Sequence, residues 1–132
     1  MIQQQELYSV SSRILIVDDE PNQCRSLAIG LRLEGFEVYE ALDAEQALNQ
    51  LEETPVHLAI VDLMMPHING LELARRLRFL HPKMAIVLTS AYHLSERQLA
   101  RLDLGAVAFL PKPYCLDELA VFLKHKLEQV VI

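Results

Sequence analysis

The sequence predicts an α/β fold in which one parallel sheet of five strands carries helices on both faces. Short apolar runs rich in β-branched residues, typical of strands, alternate five times with segments whose apolar residues recur at helical spacing. The runs show little alternation between apolar and polar residues, as expected of parallel strands buried on both faces. Because crossover connections are right-handed, five such units form a doubly wound sheet.

The predicted strands are four or five residues long and are flanked by polar or turn residues. They cover residues 14–17, 36–39, 58–61, 84–88 and 107–110. Five strands in a short chain favour the flavodoxin-like order 2-1-3-4-5, although the order 3-2-1-4-5 fits the same count. In either order ligands bind beyond the carboxyl ends of the strands, so the residues that follow each strand are candidates for function.

Five helices are predicted from apolar spacing and from boundary residues. Clear spacing at i, i+3, i+4 and i+7 occurs over residues 24–31, 44–51, 73–80 and 116–127. The fourth helix, about residues 95–103, is shorter and only weakly amphipathic. Pro21 fits the first turn of the first helix, Asn69 can cap the third, and Gly35 and Gly105 fall where helices should end.

Composition indicates one ordinary globular domain. The chain has 132 residues, of which 52% are hydrophobic and 23% charged, so disorder, collagen-like repeats and a disulfide scaffold are disfavoured. Its formal net charge of -6 disfavours direct binding to nucleic acid or to an anionic membrane.

The cysteines and the apolar segments indicate a cytoplasmic protein. Cys24 and Cys115 lie far apart without a CxxC pair, so we expect free and mostly buried thiols. No apolar run approaches the ~20 residues of a transmembrane helix. The amino terminus lacks the basic start and apolar stretch of a signal peptide.

Polar residues that could do chemistry follow four of the five predicted strands. Asp18, Asp19 and Glu20 follow the first strand, and Asp62 follows the third. The other two sets are Thr89–Ser90 after the fourth strand and Lys112–Pro113 after the fifth. Each has an ordinary interpretation as a cap, a loop residue or a surface side chain. Their joint occurrence at one edge of a sheet is much harder to attribute to capping.

Three carboxylates that converge from two strands repel one another, so they need raised pKa values or a counter-cation. Mg²⁺ suits them because it prefers oxygen ligands and phosphate partners. The turn after the first strand contains no glycine, which argues against a loop that cradles a nucleotide phosphate. An aspartate nucleophile beside Mg²⁺, with a lysine and a hydroxyl to hold the transferred group, can form an aspartyl phosphate.

Four sequence blocks, in order and at matching spacing, resemble the receiver domain of two-component response regulators. They are ILIVDDE at 14–20, VDLMMPHING at 61–70, VLTSA at 87–91 and GAVAFLPKP at 105–113. The resemblance covers about residues 12–128. It divides the chain into a frayed lead-in at 1–11, a receiver domain at 12–129 and a tail at 130–132 that could begin a linker to an output module.

The resemblance implies that Asp62 accepts a phosphoryl group from a histidine kinase or phosphotransfer protein. A Mg²⁺ or Mn²⁺ cofactor would be bound by Asp62, by Asp19 directly and by Asp18 mainly through water. The backbone carbonyl of Met64 would be a further ligand. Met64 and Ala91 carry no acid or amide group that could orient an attacking water, so a relatively long-lived phosphoryl group is expected.

The resemblance also implies a switch. Thr89 would bind a phosphoryl oxygen, Lys112 would pair with another, and the Lys112–Pro113 peptide would be cis. Phe109 occupies the position of the switch aromatic residue, where many relatives carry tyrosine, so steric repacking must carry the change.

The same resemblance suggests a partner surface formed by helix four, strand five and helix five. Phe109, Val121 and Phe122 would contribute apolar groups to it. The charged residues that some receivers use to dimerise there are absent near positions 107–108 and 121, so an apolar contact, including a possible homodimer, is expected.

Three other functions remain possible. The chain could be a receiver-like docking module that works without phosphorylation, although its acidic site is complete. A phosphatase or phosphotransferase with an aspartate nucleophile typically has a second aspartate, the general acid, two residues after the nucleophile. In this chain that position is occupied by Met64. A flavodoxin-like cofactor binder would need a phosphate-binding loop after the first strand. In this chain Asp18 and Asp19 occupy that place, and their charges would repel a phosphate.

Overall fold

In the computed structural model, which describes residues 12–65, 68–91, 94–101 and 107–131, five strands form one parallel sheet. They are β1 (Arg13–Val17), β2 (Glu37–Ala41), β3 (Leu58–Asp62), β4 (Ala85–Ser90) and β5 (Ala108–Pro111). Their spatial order is β2-β1-β3-β4-β5. The predicted doubly wound fold with order 2-1-3-4-5 is therefore confirmed, and the alternative order is excluded.

Five helices connect and follow the strands. They are α1 (Pro21–Leu33), α2 (Ala44–Glu53), α3 (Gly70–Leu80), α4 (Glu96–Arg101) and α5 (Leu116–Val131). Each lies where the apolar spacing predicts a helix. The described part of α4 ends at Arg101, so the predicted continuation to residue 103 and the predicted stop at Gly105 lie outside the described residues.

The helix boundaries follow from the predicted signals. Pro21 is in the first turn of α1, where its missing N–H costs no hydrogen bond. Gly35, just beyond α1, has a φ of 101°, which glycine adopts without strain. The Asn69 side chain accepts hydrogen bonds from the backbone N–H groups of Leu71 and Glu72 and so caps α3.

The core consists of two layers, one on each face of the sheet. Alternate residues of β1 enter opposite layers, since Leu15 and Val17 pack with α2 and α3 while Ile14 and Ile16 pack with α1 and α5. Because helices cover both faces of the sheet, we expect a ligand site at the carboxyl edge.

Burial on both faces, which we expect of every strand, holds for β1, β3 and β4 but is wrong for β2 and β5. Glu37 in β2 is exposed, and all four residues of β5 are only half-buried. These strands lie at the two edges of the sheet. Ion pairs line the β2 edge, including Arg13 Nε to Glu37 Oε2 at 3.1 Å and Arg25 Nε to Glu40 Oε1 at 3.1 Å.

The two cysteines are free, as predicted, but only Cys24 is buried. Burial raises the pKa of the Cys24 thiol to about 11. Cys115 is exposed because it lies in the connection just before α5, outside both core layers.

Both ends of the chain bear on the predicted division into lead-in, domain and tail. The lead-in predicted at 1–11 lies outside the described residues, and α5 extends to Val131 in the predicted tail. No helix in the described parts of the chain is long and apolar enough to cross a membrane.

Candidate functional site

The carboxyl ends of four strands bring the predicted chemical residues together. Asp62 is the last residue of β3 and is paired in register with Thr89 of β4. The backbone N–H of Lys112 donates to the Ser90 carbonyl at 2.8 Å, which holds the residue after β5 against the end of β4. Asp18 directly follows β1. The sheet order places these residues around one crevice.

The Lys112 side chain is the centre of this crevice. Its Nζ donates a 2.9 Å hydrogen bond to Asp62 Oδ2 and lies 3.6 Å from Asp18 Oδ2. It also lies 3.4 Å from the side-chain oxygen of Gln23 on α1. The Lys112–Pro113 peptide bond is cis, as expected.

Backbone donors orient both buried carboxylates. Asp62 is 7% exposed, and its Oδ1 accepts a 2.9 Å hydrogen bond from the Met64 N–H. Asp18 is 8% exposed, and its Oδ1 accepts a bond of the same length from the Glu20 N–H. With these contacts each carboxylate keeps its second oxygen turned toward Lys112.

Electrostatics in the crevice follow from burial and charge. Burial raises the pKa of Asp18, and repulsion from Asp62 and Asp19 adds to this, against the opposing Glu20 N–H and Lys112. Burial by itself would lower the pKa of Lys112, but its hydrogen bond and attraction to Asp62 outweigh this, so the pKa is raised. Lys112 is thus a protonated counter-cation for two carboxylates.

The oxygen atoms around the crevice are of the kind that a hard divalent cation prefers. Asp18, Asp19 and Asp62 have carboxylate oxygens, and Met64 has a backbone carbonyl. Within the described ranges, however, no three such side chains form a ready-made metal cluster. Asp19 is only half-buried. The Lys112 ammonium lies between the two buried carboxylates, where it partly offsets their charge.

The predicted switch residues lie on adjacent strands. Thr89 is 2% exposed, and Leu88, which precedes it in β4, pairs in register with Phe109 of β5. Phe109 is half-buried against the core layer that contains α2 and α3. Thr89 and Phe109 therefore lie on neighbouring strands, one register position apart.

The other two predicted surface residues are on α5. Val121 is 68% exposed, whereas Leu119 and Leu123 are fully buried in the core layer shared with α1. Phe122 lies on the flank, half-buried, with Lys126 Nζ 5.6 Å from its ring centroid. The apolar side chain of Val121 is thus available to a partner.

Two residues that we did not predict from the sequence also shape the crevice. Gly70 approaches the backbone of Asp62 and Leu63 so closely that a side chain there would collide with it. Gln23 contacts Lys112 across 89 positions of sequence. A glycine directly after a helix cap, where a better helix former would be favoured, is a signal for the first; no local pattern marks the second.

Comparison with known protein families and curated proteins gives one consistent result. The family model described as response regulator receiver domain matches residues 14–124. The chain is 39% identical over 105 residues to the response regulator GtcR of Aneurinibacillus migulanus and 35% identical over 119 residues to the transcriptional regulatory protein PrrA of Mycobacterium leprae (strain TN). These matches cover 80% and 90% of this chain but 43% and 51% of the relatives. The chain therefore spans about half the length of these curated relatives.

Solved structures show the same architecture. A response regulator receiver domain protein (CheY-like) from Methanospirillum hungatei JF-1 has a TM-score of 0.82 and 33% identity, covering 90% of this chain and 95% of that chain. NtrX from Brucella abortus, solved in complex with ATP, has a TM-score of 0.82 and 29% identity, covering 91% of this chain but 28% of that chain.

Proposed function

This chain belongs to the response regulator receiver domain family, and on that basis we propose that it is a phosphorylation-activated switch whose phosphoacceptor is Asp62. The phosphoryl donor is a histidine kinase or a phosphotransfer protein. The observation that carries the proposal is the 2.9 Å hydrogen bond from Lys112 Nζ to Asp62 Oδ2 in a buried crevice. It places a positive charge beside the carboxylate, where that charge can stabilise the phosphoryl oxygens once Asp62 is phosphorylated.

In the transfer step, a carboxylate oxygen of Asp62 attacks the phosphorus of a phosphohistidine. The P–O bond forms as the P–N bond breaks, and the histidine leaves with the electron pair of that bond and takes up a proton. Lys112 then moves from the carboxylate oxygen to a phosphoryl oxygen, and the Thr89 hydroxyl donates to another. The burial of Thr89 and its register position beside Asp62 support this role.

The residues proposed to hold a divalent cation are Asp18, Asp19, Asp62 and the backbone carbonyl of Met64. Bound there, Mg²⁺ or Mn²⁺ would offset the negative charge that develops on the phosphoryl oxygens. Asp18 supports this proposal, because its raised pKa reflects a carboxylate that is buried and close to other carboxylates.

Phosphorylation adds up to two negative charges and three acceptor oxygens to the crevice. We expect Thr89 to move toward the phosphoryl group and to leave a cavity into which Phe109 rotates. The adjacent positions of β4, which carries Thr89, and β5, which carries Phe109, support this relay. The change would alter the surface of α4, β5 and α5, to which Phe109, Val121 and Phe122 contribute.

This surface is proposed to bind the output partner, which could be a module that follows residues 12–129 in a longer protein, or a second receiver. The exposure of Val121 supports an apolar contact. The only reactions proposed for the domain itself are its own phosphorylation and slow dephosphorylation.

Incubation of the chain with acetyl phosphate and Mg²⁺, followed by intact mass measurement, tests the proposal. The wild-type chain should gain the mass of one phosphoryl group, and Asp62→Asn should gain none. An unmodified wild-type chain would instead favour a docking module that works without phosphorylation. A mass gain that persists in Asp62→Asn would show that Asp62 is not the acceptor.

A further inference from the structure

An open groove between α2 and α3 has no role in the proposed switch. It is lined by Leu48, Arg75, Arg76, Phe79 and Leu80. Phe79 is 84% exposed and Leu80 56% exposed, which are large fractions for apolar side chains. Apolar exposure concentrated in one groove is typical of a surface that another protein covers.

The apolar surface continues past the end of α3. Leu80 also lines an adjoining depression at the amino ends of β3 and β4, together with Val56 and Met84. This depression lies at the edge of the sheet opposite to Asp62, which is the last residue of β3. A partner bound along the groove would therefore leave the phosphorylation crevice accessible.

The two sides of the groove carry opposite charges. On α2, Glu45 and Glu52 lie three residues before and four residues after Leu48, so all three share one helix face. On α3, Arg75 and Arg76 line the groove, and Arg75 is 3.9 Å from Glu72 of its own helix. In the part of the chain that the structure describes, neither Arg76 nor Glu52 forms an ion pair.

The two helices end at matching levels. Each is separated from the next strand by four residues, at 54–57 and 81–84, and the first residues of those strands, Leu58 and Ala85, are paired in register. Glu52 lies one residue before the end of α2, and Arg76 lies four residues before the end of α3. Their levels therefore differ by three residues, about 4.5 Å along a helix axis, which two long side chains can span.

We propose that this groove is a self-association surface for a second copy of the chain. A two-fold axis parallel to the helices would lay α2 of each copy on α3 of the other. Glu52 of each copy would then face Arg76 of the other, and Phe79 would be covered by the side of α2 that carries Leu48. Because the contact is isologous, every such pair occurs twice. This self-complementary charge pattern favours a second copy over a uniformly charged partner.

Sedimentation velocity of the unphosphorylated chain over a concentration series tests this proposal. The wild-type chain should show a reversible monomer–dimer equilibrium. Arg76→Glu and Glu52→Arg should each raise the dissociation constant at least about tenfold, because each places like charges together twice. The double variant should recover most of the lost affinity, because it restores opposite charges. Both side chains are exposed, so the variants should fold like the wild type.

Leu33→Glu is the matched control, since Leu33 is 84% exposed and lies on α1, on the other face of the sheet from α2 and α3. It should leave this equilibrium unchanged, whereas Phe79→Ala should weaken it. A chain that stays monomeric at every concentration would overturn the proposal. A dimer that Leu33→Glu dissociates, or that the two single charge reversals do not weaken, would overturn it as well.

Discussion

Gly70, the first residue of α3, lies directly against the backbone of Asp62. A Cβ atom at position 70 would be 2.8 Å from the Cα of Leu63 and would collide with the Asp62 carbonyl oxygen. Real Cβ atoms do not tolerate such contacts with backbone, which cannot move aside as a flexible side chain can. The start of α3 and the proposed phosphoacceptor are therefore joined by a contact that only glycine permits.

Gly70→Ala should lower the free energy of unfolding by about 1–3 kcal/mol, because the added methyl group overpacks a backbone contact. It should also slow phosphorylation, since the contact supports Asp62. Urea unfolding measures the first effect, and the rate of mass gain with acetyl phosphate measures the second.

Gly30→Ala is the control for Gly70→Ala. The three atoms nearest to a Cβ at Gly30 all belong to the side chain of Leu116, with Cδ2 at 2.5 Å. That side chain is partly exposed and can turn away. The control should therefore be close to neutral in stability. Equal stability of Gly70→Ala and the wild type would contradict the importance of the close contact.

The stability of the fold should fall as the pH drops below about 6.5, the ordinary pKa of histidine. Burial, together with the Arg13 charge, lowers the pKa of His57, whose Nδ1 accepts a 3.0 Å hydrogen bond from the Arg13 N–H. The unfolded chain then binds more protons than the folded chain between the folded and unfolded pKa values. The contribution of His57 is fully present above the unfolded pKa and is lost as the pH falls toward the folded one.

Two variants separate this titration from other effects in urea unfolding at pH 7.5 and at lower pH. His57→Asn keeps an acceptor for the Arg13 N–H and should reduce the loss of stability on acidification. His57→Ala removes both acceptor and titration, so it should cost about 1–3 kcal/mol throughout. A wild-type acid response that survives unchanged in His57→Asn would assign the effect to other groups.

The phosphoryl group should last longer than that of free acetyl phosphate under the same conditions. The Met64 side chain is 52% exposed near the crevice and carries no acid or amide group that could orient an attacking water. Met64→Gln supplies an amide that can orient water and should shorten the half-life several-fold, whereas Met64→Leu should not. A wild-type half-life no longer than that of the free acyl phosphate would contradict this account.

Phosphorylated chains should associate through the α4–β5–α5 surface if it is an apolar partner site. Val121→Glu places a charge on an exposed apolar position and should weaken any association that acetyl phosphate and Mg²⁺ induce. Light scattering before and after phosphorylation measures this. Association that proceeds equally in Val121→Glu would show that this face does not carry the contact.

Much of the fold could be predicted because its signals are periodic and local. The apolar runs and helical spacing predicted the five strands of the parallel sheet and the five helices, but not the two-residue strands Met64–Met65 and Ile68–Asn69. The strand ends predicted that Asp62 and Lys112 would meet. The edge position of β2 could not be identified in the same way, since order 2-1-3-4-5 places β2 at an edge whereas 3-2-1-4-5 would place it inside the sheet. The exposure of Cys115 likewise depends on the path of the segment that joins β5 to α5. The residue type alone does not determine that path.

The sequence predicted that the carboxylates of the site need compensation, but not in which form. Converging carboxylates indicated either raised pKa values or a counter-cation. The structure has both, since the pKa of Asp18 is raised by burial and Lys112 lies between Asp18 and Asp62. The contact between Gln23 and Lys112 and the packing of Gly70 on Asp62 depend on how α1 and α3 cross the sheet. No spacing within the chain could reveal them.

Direct mapping of the phosphorylated residue tests the central claim. After incubation with acetyl phosphate and Mg²⁺, borohydride reduction converts an aspartyl phosphate to homoserine, which peptide mass spectrometry locates. We predict homoserine at position 62 in the wild-type chain and none in Asp62→Asn. Homoserine at Asp18 or Asp19 of the wild-type chain, or at no position, would contradict the assignment of Asp62 as the phosphoacceptor.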